Sequence, residues 1–102
     1  MRNLNQIGEE LFNKLRGQFP TITIGDENGS ITNEPSAARF FDFDYKKLGK
    51  VSISLDETGV AVIYSKDFIT DEDALTKDAW YGFLKELRLF ARKRLLNFDT
   101  RD

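Results

Sequence analysis

Val51-Ser52-Ile53-Ser54-Leu55-Asp56-Glu57-Thr58-Gly59-Val60-Ala61-Val62-Ile63-Tyr64 is the stretch that decides the fold. Its first half alternates apolar and polar side chains, the mark of a strand with one buried face, and Asp56 to Gly59 is turn chemistry. Its second half is apolar on both faces, which predicts a strand covered twice. These two strands are expected at about 50–56 and 59–65. Upstream, Phe41, Phe43 and Tyr45 alternate with Asp42 and Asp44 over a strand at about 38–45, and Lys46-Lys47-Leu48-Gly49 turns the chain into the next one. Phe19-Pro20 forces extended backbone, so Ile22 and Ile24, alternating with Thr21 and Thr23, predict a strand at about 20–24. Asn28-Gly29 tolerates the positive φ of a hairpin turn, after which Ser30-Ile31-Thr32 returns as a strand at about 29–33.

Two amphipathic helices flank these strands. Leu4, Ile7, Leu11, Phe12 and Leu15 recur at spacings of three and four, predicting a helix over 3–16 that Gly17 stops. Thr70 or Thr76 is placed to cap a second helix over about 75–96, with Trp80, Phe83, Leu84, Leu87, Phe90, Ala91 and Leu95 as its buried stripe and Leu89 and Leu96 off it. The connections between the five strands are too short for parallel crossovers. An antiparallel sheet follows, and short twisted strands covered on one face curl into a small open barrel. The expected architecture is α+β: N-terminal helix, five-stranded antiparallel small barrel, C-terminal helix, in one domain over 1–102.

Composition narrows the chemistry. The 102 residues include 15 Lys plus Arg, 17 Asp plus Glu, no Cys and no His. Serine-histidine triads, cysteine nucleophiles, zinc fingers and disulfides are therefore excluded. No run of 18 apolar residues exists, so no membrane span is expected. Gly25, Gly29, Gly49 and Gly59 sit in separate turns and form no phosphate-cradling loop. Asp42 and Asp44 lie about 7 Å apart on one strand face, but nothing supplies further oxygen ligands at fixed spacing, and Asp26-Glu27-Asn28 lacks the rest of a calcium loop. No catalytic residue, cofactor or metal is expected, and the chain reads as a non-enzyme.

The order of helix and five short strands resembles the Sm-like layout with an added C-terminal helix. That resemblance implies rings assembled by strand pairing, and RNA held by an Asp-x-x-x-Asn-like element and a basic turn. The corresponding stretches here are Phe40-Phe41-Asp42-Phe43-Asp44-Tyr45 and Asp56-Glu57-Thr58-Gly59, the second acidic where that family is basic. Trp80-Tyr81-Gly82-Phe83-Leu84-Lys85-Glu86-Leu87-Arg88-Leu89-Phe90-Ala91-Arg92-Lys93-Arg94, followed by Leu95-Leu96-Asn97-Phe98-Asp99-Thr100-Arg101-Asp102, resembles uncharacterised proteins of contractile-tailed cyanophages. In those proteins a tryptophan-led basic helix and a Phe-Asp-x-Arg-Asp segment lead into a longer chain. The resemblance covers roughly the last quarter, carries no catalytic residues, and implies the N-terminal part of a longer protein in the host cytoplasm or the virion.

Two surfaces are candidates. The apolar strand and the surplus of the second helix predict self-association through Val60, Val62, Tyr64, Leu89 and Leu96. Residues 83 to 96 hold five basic groups and one acidic, and Lys85, Arg88 and Arg92, with Tyr81 and Lys93, form a basic face suited to phosphates. The expected function is an oligomeric assembly or scaffold module whose partner is another copy of itself. The alternative is an Sm-like RNA-binding module.

Overall fold

The computed structural model describes residues 3–70 and 73–101, with Lys66 described by its backbone only. Helix α1 spans Leu4–Arg16, strands β1 to β4 span Thr23–Gly25, Phe40–Tyr45, Gly49–Asp56 and Gly59–Tyr64, helix α2 spans Ala74–Lys93, and β5 spans Asn97–Arg101. Short 3-10 turns at Pro35–Ala37 and Lys66–Ile69 bridge the longer connections. The strands form one sheet in sequence order, antiparallel from β1 to β4, with β5 parallel to β4.

The sheet is therefore mixed and open, where the sequence predicted an antiparallel barrel. The strand expected at 29–33 shrinks to a single bridge, Gly25 to Ile31. Its hairpin turn does form: Asp26 accepts the Gly29 N–H and its carboxylate the N–H groups of Asn28 and Ser30. Ile31 is 79% exposed, and a returning segment with no apolar face to bury has nothing to extend its pairing. The fifth strand comes instead from residues after α2. The span from Tyr64 to Asn97 is a crossover long enough for parallel pairing.

Cross-strand register puts Phe41, Phe43, Tyr45, Val51, Ile53, Leu55, Val60, Val62 and Tyr64 on one face, and both helices cover that face. Trp80 of α2 is fully buried and meets Tyr45 and Tyr64 edge-on at 4.9 Å and Phe68 at 4.8 Å. Phe19 stacks on Phe43 at 4.2 Å and meets Phe83 edge-on. Such ring pairs add to the area they bury. The two helices are joined by Lys14 to Glu86 at 3.6 Å and by Arg94, whose Nε donates to Glu10 at 2.8 Å. Arg94 also lies over the Phe90 ring.

Among the described residues, no helix covers the opposite sheet face. Only one side of β4 is covered by helices, contrary to the reading of its apolar run: Ala61 is buried between its cross-strand neighbours Ser54 and Asp99, while Ile63 stands 37% exposed. At the end of α2 the expected stripe also stops early. Leu95 takes φ +59 and is 81% exposed, and the Leu96 N–H returns to the Ala91 carbonyl, so Leu96 is buried instead. The helix ends at Lys93 and the left-handed residue is Leu95 itself, so the helical period does not reach it. α1 ends at Arg16 with Gly17 as its cap, as expected; Gly17 keeps right-handed φ, and the Phe19 N–H closes the last turn onto Leu15.

Candidate self-association edge and basic helix flank

Val60 and Val62 are 2% and 0% exposed, facing the helices, and β4 is hydrogen-bonded to β3 on one side and β5 on the other. No edge of β4 is free, so the strand pairing predicted there is closed by β5. Tyr64 packs half-buried against Phe68 and Trp80, and Leu96 lies in the core. Of the five residues, Leu89 alone is an exposed large hydrophobic, 45% accessible.

The free edge of this end of the sheet belongs to β5. Among the described residues, β5 pairs with β4 only. Gly59 has φ +150, and a Cβ there would run into the Asn97 carbonyl. That carbonyl thus points at β4. Alternation along the strand then turns the N–H and C=O of Phe98 and Thr100 outward. In agreement, the Thr100 N–H donates to Asp99 Oδ1 at 2.9 Å, and Asp99 Oδ2 accepts from Arg101 Nε at 3.3 Å. The last strand therefore has one outward amide covered by its own neighbour's carboxylate.

All five predicted nucleic-acid residues are exposed on α2, but they divide between two flanks. Lys93 lines a groove with Glu10, Lys14, Glu86 and Leu89 on the side toward α1. Tyr81, Lys85, Arg88 and Arg92 lie on the other flank, at helical spacings of four, three and four. Arg88 sits over the Phe98 ring at 5.7 Å, which places that flank above β5. Lys77, four residues before Tyr81, extends the same line and escaped the sequence reading, although the spacing alone would have found it. None of Lys77, Lys85, Arg88 and Arg92 forms a salt bridge with another described residue. Glu86, beside Lys85, is drawn to Lys14, while Asp78, beside Lys77, stands exposed on the helix.

Elsewhere the acidic groups serve structure. Asp56 accepts the Thr58 and Gly59 N–H groups at 2.8 and 3.1 Å. Its carboxyl is held below the usual range chiefly by the Thr58 hydroxyl, with those backbone bonds adding. The turn that the Sm-like layout would use for RNA is thus occupied by its own acid. Burial, then the Glu86 charge, push the Tyr45 phenol above its ordinary value. Asp42 and Asp44 lie on the sheet face opposite the helices, beside a shallow depression of about 800 Å³ that Lys50, Ser52 and Ile63 also line. Among the described residues no three His, Cys, Asp or Glu side chains are grouped to hold a metal ion, and no helix is long and apolar enough to cross a membrane. None of the protein families, curated proteins and solved structures compared with this chain matches it.

Proposed function

We propose that this domain is a non-enzymatic assembly module that pairs with a second copy of itself along the outer edge of β5. The observation that carries the reading is that edge, free of any strand partner among the described residues. Antiparallel pairing centred on Thr100 sets Asp99 opposite Arg101 of the second copy and Arg101 opposite its Asp99. Each opposite-charge pair across a ladder contributes about 0.2–1 kcal/mol. Pairing centred on Phe98 would instead set Asp99 opposite Asn97, so charge selects the first register. A two-fold contact of this kind is self-complementary.

The exchange is balanced. In the single chain Asp99 covers the Thr100 N–H and holds Arg101; in the pair that amide finds a carbonyl and both charges find partners across the seam. A charged edge resists indiscriminate pairing, which leaves the matching edge of a second copy favoured. Strand-edge assembly is also what the Sm-like layout implies, moved here from β4 to β5.

Sedimentation of Asp99→Arg, Arg101→Asp and the double exchange tests the register. Each single change is expected to weaken the dimer several-fold, and the double exchange to restore it. A wild-type chain that stays at 11.8 kDa at every concentration, or a double exchange no better than the singles, contradicts the reading.

A second reading has its own observation: the exposed line of Tyr81, Lys85, Arg88 and Arg92, with the half-buried Lys77 at its head. Cations that track a backbone beside an aromatic ring on which a base stacks are the means of binding single-stranded nucleic acid. Loss of salt-sensitive RNA binding in Lys85→Glu plus Arg92→Glu is the expected result, and binding that survives both changes would refute it.

A further inference from the structure

The basic flank of α2 and the free edge of β5 are the same border of the molecule, because Arg88 lies over Phe98. In a continuous antiparallel sheet, residues directly opposite share a face, so both α2 helices stand on one side of the joined sheet. Their basic flanks then face each other across the seam.

Resting on the self-pairing reading, we infer that the paired edges form one cationic trough for a single strand of nucleic acid, and that pairing and nucleic-acid binding promote each other. Lys77, Lys85, Arg88 and Arg92 from each copy line it. The flanks toward α1 are excluded, since there Glu86 meets Lys14 and Glu10 meets Arg94. Without an anion in the trough, two rows of like charge oppose the seam, and salt relieves that opposition by screening. A bound polyanion relieves it directly. By linkage, whatever factor the strand adds to dimer affinity, the dimer adds to strand affinity. Tyr81 is 56% exposed within the row, and its ring stacks only on a base that is unpaired, which selects a single strand over a duplex.

The experiment is a salt titration of a labelled uridine 20-mer, with mass measured on the same samples, for the wild type, Thr100→Pro and Asp99→Arg. Proline at Thr100 removes an outward amide and leaves the ladder to β4 intact; Asp99→Arg breaks the seam by charge alone, so a folding defect in one does not silence the test. The wild type is expected to bind as two chains per RNA with a log–log salt slope of about −6, and both variants as one chain with a slope of about −3, at about −0.7 per phosphate. Without RNA, wild-type dimerisation is expected to strengthen as salt rises. A dimer that binds RNA no better than the two variants, or that dissociates when RNA is added, overturns this inference and leaves the self-pairing reading standing. A wild type that is monomeric with and without RNA overturns the self-pairing reading itself. Inorganic polyphosphate of equal charge binding as tightly as the 20-mer overturns the assignment to nucleic acid.

Discussion

The two edges of the sheet are guarded differently. β1 is three residues long, and the segment after its hairpin turn covers its outer side, with the Thr32 N–H on the Ile24 carbonyl at 2.9 Å. β5 is five residues long, and among the described residues its outer side is met only by the carboxylate of its own Asp99. A covered edge can be opened only by unfolding the chain that covers it. An edge guarded by a side chain opens by a rotamer change, which costs far less. The first edge is closed by backbone, and the second by a side chain alone among the described residues.

Breaking the layer beneath both edges should have the largest effect. Trp80→Ala is expected to cost about 3–5 kcal/mol, measured by chemical denaturation, because it empties the centre of the aromatic cluster. Trp80→Phe is expected to cost much less: the indole Nε1 finds no acceptor among the described residues, so its removal leaves no hydrogen bond unmade. Gly59→Ala should separate the edges. A Cβ against the Asn97 carbonyl, at positive φ, is expected to cost about 2–3 kcal/mol. Hydrogen exchange should then rise at residues 97–101 while residues 23–25 stay protected.

Smaller changes sharpen the comparison. Leu95 holds a left-handed conformation just before β5 with its side chain in solvent. Leu95→Gly is expected to raise stability by about 1 kcal/mol in denaturant melts, since the strain goes and no burial is lost. The least effect is that of pH on the β3–β4 turn. Asp56 has a lowered carboxyl pKa in the folded chain, so its contribution is present above the ordinary aspartate range and is lost as pH falls through the folded value. Thermal melts between pH 6 and pH 3 should show this loss in the wild type, and a smaller one in Asp56→Asn.

Two helices, three of the four antiparallel strands at nearly their full length, and the aromatic core were legible in the sequence, because burial on one face writes a period of 2 or 3.6 directly into residue order. Residues 97–101 were not. Of Asn97-Phe98-Asp99-Thr100-Arg101 only Phe98 is even half-buried, so no alternation marks the strand; it forms because β4 needs a second neighbour and Gly59 lets one approach. That omission misdirected the self-association reading, since an apolar strand with no visible neighbour looks like an interface. Tyr81, Lys85, Arg88 and Arg92 were legible by spacing. Lys93 was misplaced because sequence shows that a residue lies off the buried stripe, and only the position of α1 shows which flank it joins.

Whether two copies meet along the outer edge of β5 is decided by analytical ultracentrifugation of the wild type against Thr100→Pro over a wide concentration range at moderate salt. A wild-type monomer–dimer equilibrium and a folded, strictly monomeric Thr100→Pro are the expected result. A folded Thr100→Pro that dimerises as well as the wild type would contradict pairing along that edge.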